Sequence, residues 1–407
     1  MGLLNNLFQT KEEPPEGSEE RPFRSHLLTI GLALVLSVGS VAGYLMYTNK
    51  SFNPMTLWKD YQTIRSVENP TGDKNSDAKD VFRRYDEKKI ESDTRHYDIE
   101  MTISSPADLD KLRTFILGRK IIRCTLESDL DLEGRTLRAL GDVEHPFLGS
   151  FDGNNHRIEN FRMDNPNEDY VSLFPSIGRK STFSNLVISN PVISGKMFTA
   201  VLTSYNSGNI DNVQIYNYVL NGGDLSGGLA SWNYGVIENS SAILNPNYVS
   251  RVGAQFGGIV STTNGLVKKC TAVTKAKGSI GMGGIAAQVQ GFGLVDGCNS
   301  QVNLNGTCDL GGIVGSISSD CGIRSCNSEG FINSDSEGIV QTIGGIAGSA
   351  SRFTSLKHNH SECQLSYKGK PLEYQDVGRV GPGLIDNKGD RVETEHTYDE
   401  VKRSLEK

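Results

Sequence analysis

A repeated apolar motif constrains the fold of this 407-residue chain more than any other feature. Each copy has a large apolar residue and, three positions later, a second residue that we call position z. The copies are Ile158–Phe161, Phe183–Leu186, Ile210–Val213, Ile237–Ser240, Val267–Cys270, Val295–Cys298, Ile323–Cys326 and Leu356–Asn359. Their z positions are 25, 27, 27, 30, 28, 28 and 33 residues apart. Such a period is typical of solenoids and other repeat architectures.

A pair of glycines followed by an aliphatic residue keeps step with the first motif. The five pairs are Gly227-Gly228, Gly257-Gly258, Gly283-Gly284, Gly311-Gly312 and Gly344-Gly345. The large apolar residue of the first motif follows that aliphatic residue by 8 or 10 positions. Both intervals are even, as expected when two short strands point side chains into one interior, because strand side chains alternate with a period of two.

These markers predict an all-β protein: a parallel β-helix of about eight coils, one for each copy of the motif, stacked roughly 4.8 Å apart. Helical repeats would need a 3.6-residue apolar period, which is missing, and propeller blades need about 40 residues. The glycines are expected to supply positive φ angles at the corners. The z residues are expected to form an internal ladder, with small residues toward the C-terminal end.

A charge-free stretch of 21 residues, 27–47, precedes the repeats and is long enough to cross a bilayer as a single helix. The long polar region after it predicts a cytoplasmic N-terminus and an exported C-terminal domain. A signal peptide cleaved after Ala42 is the alternative interpretation. Gly39 and Gly43 have the spacing that lets two membrane helices approach closely, so a homodimer through them is a further hypothesis.

Composition and patterning divide the chain into six segments. They are residues 1–25, a tail expected to be disordered; 26–48, a transmembrane signal anchor; 49–98, a polar stalk; 99–160, an N-terminal cap with the first strands; 161–365, the β-helix repeats; and 366–407, a C-terminal cap and helix. A helix over 105–117, with Ser105 or Asp108 as its N-cap, is expected to close one end of the solenoid. A helix over 396–407, capped by Thr397, is expected to close the other.

The repeats resemble the GLUG motif of bacterial surface proteins. The best copy, Gly311–Gly330, reads G-G-I-V-G, then seven residues, then I-x-x-C-x-x-x-G. The stretches Asp129–Gly134 and Phe147–Ile158 are similar to the segments that lead into such domains, with Asn155 where the family usually has Gly. The resemblance covers roughly residues 100–365. It implies a right-handed β-helix of bacterial origin, as in adhesins, secreted surface proteins or larger proteases, and it implies a scaffold rather than a catalyst.

One compact cluster has residue types that bind metals: His358, His360, Glu362 and Cys363. On a strand the first three would share one face, as a metal site requires. The expected interior position of Asn359 favours the simpler interpretation, in which these side chains point to solvent. No metal or cofactor is therefore predicted here.

Two acidic stretches also resemble functional loops. Asp129 and Asp131 have the spacing of alternate calcium ligands, but the distant bidentate acid of a calcium loop is missing. Asp152, Asn154 and His156 suit a tight turn. Turn and strand-end roles are the favoured interpretation for all of them.

The seven cysteines have no C-x-x-C spacing, which excludes a zinc ribbon and a small disulfide scaffold. Cys270, Cys298 and Cys326 occupy z positions and are expected to fill the interior as small apolar residues. Cys308 with Cys321 is the disulfide pair that the sequence favours.

The function predicted is that of a non-enzymatic binding, adhesion or structural module, held at the cell envelope by the membrane segment. The net charge of −7 argues against a nucleic-acid partner, and known nucleophile, metalloprotease and phosphate-loop motifs are missing from the sequence. A protein or polysaccharide partner at the envelope is expected. The alternatives are a polysaccharide lyase or glycoside hydrolase, by analogy of fold, and a subunit of a larger envelope assembly.

An enzyme of that kind would need carboxylates that converge in one groove. The acids between residues 200 and 350 are expected at unequal positions in the coils: Asp224, Glu238, Asp296, Asp309, Asp320, Glu329, Asp335 and Glu337. Aromatic residues for sugar stacking are few, namely Trp232, Tyr234, Tyr248, Phe256 and Phe292.

Overall fold

The computed structural model describes residues 96–336, 342–351, 354–380, 384–385 and 391–392. By its internal contacts the chain divides into Met1–Asn75 and Ser76–Lys407, and every described residue belongs to the second unit. The predicted tail, membrane segment and most of the stalk lie outside the described residues, as do Gly39, Ala42 and Gly43. Within the described part of the chain, no helix has both the length and the apolar character needed to span a membrane.

One helix and 35 strands make up the regular structure of the described residues. Helix α1 spans Pro106–Leu117. The strands are β1 (Ile99–Ile103), β2 (Ile121–Leu126), β3 (Leu130–Asp131), β4 (Leu148–Asp152), β5 (Arg157–Glu159), β6 (Arg162–Asp164), β7 (Phe174–Ile177), β8 (Thr182–Ser189), β9 (Val192–Ala200), β10 (Thr203–Asn206), β11 (Asn209–Gly227), β12 (Ala230–Asn233), β13 (Val236–Glu238), β14 (Ser241–Leu244), β15 (Ser250–Val252), β16 (Phe256–Gly257), β17 (Val260–Thr263), β18 (Leu266–Lys268), β19 (Thr271–Lys277), β20 (Ile280–Gly283), β21 (Ala286–Val289), β22 (Leu294–Asp296), β23 (Asn299–Gly306), β24 (Cys308–Gly311), β25 (Val314–Ile317), β26 (Gly322–Arg324), β27 (Asn327–Ser334), β28 (Ile343–Gly344), β29 (Ala347–Ala350), β30 (Ser355–Lys357), β31 (His360–Tyr367), β32 (Lys370–Pro371), β33 (Val377–Val380), β34 (Leu384–Ile385) and β35 (Arg391–Val392).

The strands stack in parallel from coil to coil, which confirms the predicted β-helix. Eight of them, β7, β10, β12, β17, β21, β25, β29 and β33, form one side of the coil as an eight-stranded sheet. The others belong to a 27-stranded network that includes the remaining sides. The solenoid has about 9 turns, close to the number predicted. Its right-handed winding stays a prediction.

The repeated apolar residues form one continuous ladder inside the solenoid. Ile210, Ile237, Val267, Val295, Ile323 and Leu356 pair in register in successive coils, and all are buried. Toward the N-terminus the ladder continues through Phe183 and Phe151. The predicted first copy of the motif, Ile158–Phe161, was therefore wrong, because Ile158 pairs with Ile188 on another side of the coil.

The paired glycines are required for close backbone approach. The first glycines of the five pairs lie in register: Gly227, Gly257, Gly283, Gly311 and Gly344. None of the ten glycines in these pairs has a left-handed φ, so the expected positive φ angles were wrong for them. A Cβ on Gly284 would instead lie 2.1 Å from the carbonyl oxygen of Gly312 in the next coil, which is closer than atoms can pack.

Left-handed corners occur at the residue before z, mostly without glycine. Seven consecutive coils have φ between 49° and 62° there, at Asn185, Asn212, Asn239, Lys269, Gly297, Ser325 and His358. Asparagine is among the side chains that best tolerate this conformation, which accounts for its use in three successive coils. The corner interrupts the hydrogen-bonded sheet, since β18 ends at Lys268 and β19 begins at Thr271.

The z residues satisfy the backbone at this corner. The N–H of Cys270 donates to Sγ of Cys298 at 3.4 Å, and the N–H of Cys298 donates to Sγ of Cys326 at 3.4 Å. In the next coil the N–H of Cys326 donates to Oδ1 of Asn359 at 3.0 Å. The predicted internal z ladder is therefore confirmed from Leu186 to Asn359. Its small residues accept hydrogen bonds from buried N–H groups that would otherwise lack a partner.

Helix α1 covers the first coil, as predicted for a cap. The carboxylate of Asp108 accepts hydrogen bonds from the N–H and hydroxyl of Ser105, the N-cap residue. Lys111, at 2.8 Å, and these bonds hold the pKa of Asp108 well below its usual range. Leu109 and Leu112 are buried, and the helix packs on β1 and β2.

Two antiparallel hairpins lie at the C-terminal end of the solenoid. Strand β31 turns at Lys368-Gly369 and pairs with β32, and β34 pairs with β35. A hairpin covers backbone groups that a last parallel strand would leave exposed. The predicted helix over 396–407 lies outside the described residues.

Candidate binding surface

Four neighbouring strands, β19, β23, β27 and β31, carry a regular grid of outward side chains that we call the amide array. These strands pair in parallel without a shift of register, and alternate residues point to solvent. Coil by coil the array contains Thr271, Val273, Lys275 and Lys277; Asn299, Gln301, Asn303 and Asn305; Asn327, Glu329, Phe331 and Asn333; and His360, Glu362, Gln364 and Ser366. Seven of these 16 residues are Asn or Gln.

Amides at the margin of the array pair with each other, whereas central amides do not. Nδ2 of Asn327 donates to Oδ1 of Asn299 at 2.9 Å across the coil boundary. Three central residues, Gln301, Asn303 and Gln364, have no hydrogen bond to any other described residue through their side chains. Each carries an unused donor group and an unused acceptor group. The centre of the array is therefore free to bind polar groups of a ligand.

A shallow groove follows the array across all four coils. One part, of about 410 Å³, extends from Thr271 to His360. A second part, of about 260 Å³, continues from Gln301 to Phe331, and Pro246 contributes to its wall. Phe331 is 56% exposed, more than any other large apolar side chain of known exposure in the described chain. The groove thus combines free amides with one exposed aromatic ring.

The formal charges of the array cancel, with His360 neutral. Lys275 and Lys277 balance Glu329 and Glu362. The two glutamates pair in register in adjacent coils, and Nε2 of His360 lies 3.2 Å from Oε1 of Glu362. Glu329 therefore departs from the expected scatter of acids, because the next coil places a second carboxylate beside it.

The predicted metal-ligand cluster does not share one strand face. His358 is at a left-handed corner before β31 begins, whereas His360 and Glu362 are exposed on that strand. Cys363 points inward and is buried. Across the described ranges, no group of three His, Cys, Asp or Glu residues is arranged to hold a metal ion.

The acids near the first coils have the turn roles that the sequence favoured. Each accepts a hydrogen bond from a backbone N–H: Asp129 from Arg157 at 3.0 Å, Asp131 from Glu133 at 2.8 Å, and Asp152 from Asn154 at 2.9 Å. Nδ1 of His156 lies 3.1 Å from Oδ1 of Asp129. Hydrogen bonds from Asn160 and Glu133 lower the pKa of Asp131.

Five aromatic side chains stack on the outside of the eight-stranded sheet and its corners. They are Tyr170, Phe198, Tyr205, Trp232 and Tyr234. The rings of Trp232 and Tyr234 are 6.0 Å apart and nearly parallel, so these residues cover each other's faces. Burial raises the pKa of Tyr234 to about 12. Two of the predicted sugar-stacking residues thus have a packing role in this stack.

The other predicted aromatic candidates lie apart from one another. Phe256 is fully buried, so it was wrong as a sugar platform. The hydroxyl of Tyr248 donates to Asn221 at 2.6 Å. Phe292 packs on a small apolar cluster that contains Leu294.

All seven cysteines are free thiols, so the predicted Cys308–Cys321 disulfide was wrong. Cys308 lies on β24 and Cys321 precedes β26, and these strands belong to different sides of the coil. Burial raises the pKa of Cys321 to about 12, which keeps it a neutral thiol.

The sequence carried an unused signal for the array. Asn299, Gln301, Asn303 and Asn305 alternate with small or apolar residues, which is the pattern of a strand with one amide face. The alignment of this strand with its neighbours depends on coil length and is visible only in the structure.

No family model matches the chain, and no solved structure matches it either. One similar protein, from Evansella cellulosilytica, bears the name "Putative Gly-rich membrane protein". It is 29% identical over 118 residues, which are 27% of this chain and 14% of that protein. The chain thus matches only a small part of that relative, and the GLUG resemblance stays a prediction.

Proposed function

We propose that this protein is a membrane-anchored, exported β-solenoid that acts as a non-enzymatic binding module at the cell envelope. In this proposal the N-terminus is cytoplasmic, the solenoid is outside, and the amide array is the binding surface. The observation that carries the proposal is the groove over four coils with unpaired amides at its centre. The charge-free segment 27–47 supports the anchor, and the name of the similar Evansella protein agrees with a membrane location.

Binding through this surface is favoured because its polar groups remain available. An amide both donates and accepts, so a row of amides recognises a ligand rich in hydroxyl or amide groups. The solenoid aligns equivalent side chains in successive coils, which creates an extended surface for a long ligand.

The test is co-sedimentation of the purified full-length protein with isolated cell envelopes. The triple variant Gln301→Ala, Asn303→Ala, Gln364→Ala is expected to bind at least about tenfold more weakly, because three net hydrogen bonds of about 0.5–1.5 kcal/mol each are lost. The matched control is Ile280→Ala with Arg251→Ala, two exposed positions outside the array. Equal binding by the triple variant and the wild type would contradict the assignment of the array.

The exported location is tested separately by adding protease to intact cells. Cleavage of the solenoid from outside, with residues 1–25 protected, is the expected result. Protection of the solenoid until the cells are lysed would contradict the orientation.

A glycan-cleaving enzyme is a second candidate, favoured by the register of Glu329 and Glu362 in adjacent coils. Two carboxylates on one groove are the machinery of glycoside hydrolysis. Release of new sugar ends from a polysaccharide, abolished by Glu329→Gln or Glu362→Gln while binding persists, would establish this candidate and overturn the non-enzymatic proposal. A third candidate, a subunit of a larger assembly, predicts a stoichiometric protein partner in pull-downs of the full-length protein.

A further inference from the structure

We infer that the amide array binds a linear, uncharged polysaccharide that runs along the solenoid axis, with one sugar ring packed on Phe331. This inference rests on the proposed function and names its ligand class. The residues that carry it are Asn303, Phe331 and Gln364, which stand in register in three successive coils.

The charge of the array argues for an uncharged polymer. Two lysines and two glutamates cancel over the 16 outward residues, so the surface has no net attraction for a polyanion or a polycation. Uronate polymers, nucleic acids and anionic lipid surfaces would each need an excess of positive charge. The amides provide recognition that does not depend on charge.

The pairing of the strands argues against a peptide. Extended peptides commonly bind by adding a strand to an exposed sheet edge. Strands β19, β23 and β27 are paired on both sides along the solenoid, and part of the outer edge of β31 is covered by β32. A ligand over the centre of the array therefore meets side chains only.

The arrangement of polar and aromatic groups suits sugar rings. A pyranose presents hydroxyl groups at its edge and C–H groups on its faces, so it pairs with amides at the edge and packs a face on an aromatic ring. Phe331 is flanked by Asn303 in one neighbouring coil and by Gln364 in the other, at a spacing of roughly 4.8 Å. Successive coils thus repeat the same kind of contact along a chain of similar units.

The test measures binding of the full-length protein to soluble hexasaccharides by titration calorimetry. The probes are β-1,4-linked glucose and β-1,4-linked N-acetylglucosamine hexamers, with a galacturonate hexamer and a twelve-residue uncharged peptide as comparisons. Binding of at least one neutral hexamer is expected, and Phe331→Ala is expected to weaken it by about tenfold, because the ring loses its buried apolar contact. Ile280→Ala, which removes an exposed apolar side chain from strand β20, is the matched control and is expected to bind normally.

The outcomes separate this inference from the proposed function. Envelope binding that depends on Gln301, Asn303 and Gln364, without binding of either neutral hexamer, would overturn the glycan assignment and leave the binding module intact. Preference for the galacturonate hexamer or the peptide would also overturn it. Loss of both envelope binding and hexamer binding in the wild type would remove both proposals. Neutral hexamer binding that Phe331→Ala leaves unchanged would overturn the placement on Phe331.

Discussion

The first turns of the solenoid are filled by large aromatic rings, whereas the later turns are filled by short side chains and glycine. Phe151 and Phe183 stack at 5.2 Å, and Phe174 meets Phe183 edge-on at 4.7 Å. In the later turns the same ladder holds Val267 and Val295, and paired glycines bring the backbones together. The comparison teaches that a repeat is visible in sequence where the coil is narrow, because little variation in size or length then fits.

The largest expected effect comes from the aromatic turns. Phe151→Ala should lower the free energy of unfolding by about 3–5 kcal/mol, because it leaves a cavity among rings that cannot collapse. Urea denaturation of the full-length protein measures the loss. Phe331→Ala, which removes an exposed ring, should change stability by less than about 0.5 kcal/mol. Similar losses in the two variants would contradict the difference in packing.

A smaller loss is expected from the glycine turns. Gly284→Ala should cost about 1–3 kcal/mol, because the new Cβ would lie 2.1 Å from the Gly312 carbonyl oxygen and the coils must move apart. Thermal unfolding followed by circular dichroism measures the loss. The control is Gly118→Ala at the end of α1, where the nearest atoms would be 3.4 Å away and φ is −78°. A neutral Gly284→Ala would show that the coil spacing is less tight than described.

The z ladder should respond to chemistry more than to size. Cys298→Ala should cost about 1–2 kcal/mol, because the buried N–H of Cys270 loses its acceptor. Cys298→Ser should recover most of that loss, since Ser240 already accepts the N–H of Val213 at 3.1 Å. Denaturation of the two variants side by side distinguishes the effects. Equal stability of the alanine and serine variants would mean that the thiols only fill space.

The smallest effect concerns reactivity rather than stability. Cys308 is half-buried, whereas the other cysteines are buried in both the early and the late turns. In the native protein, alkylation should add a single group, at Cys308, as measured by intact mass. Burial and the nearby Asp309 raise the pKa of Cys308, so its rate should keep increasing with pH beyond the point where a free cysteine peptide levels off. Rapid modification of Cys298 without denaturant would contradict the packing.

Several parts of the fold were predictable because their signals are local. Ser105 and Asp108 mark the start of α1, and the apolar residues from Phe183 to Leu356 form the predicted ladder. The first copy of the motif was misplaced because Ile158 and Phe151 fit the apolar pattern equally well. Only the pairing with the following coil separates them.

The candidate surface was less predictable than the core. Trp232 and Tyr234 drew attention as aromatic residues, yet their faces are used in packing against neighbours. Phe331 and the central amides look unremarkable in the sequence, because a single exposed ring or amide carries little information. Their value comes from Asn303 and Gln364, which lie 28 and 33 residues away from Phe331 in the chain and beside it in adjacent coils.

The spacing of apolar residues and paired glycines was enough to specify a parallel solenoid, because each coil must bury the same positions against the next. Folding alone decided which outward residues meet, since corners of different length absorb the variation between repeats. The array depends on that alignment, as does the placement of Glu329 beside Glu362. Interior contacts restrict the sequence of every coil, whereas an exterior surface is defined only when the coils are stacked.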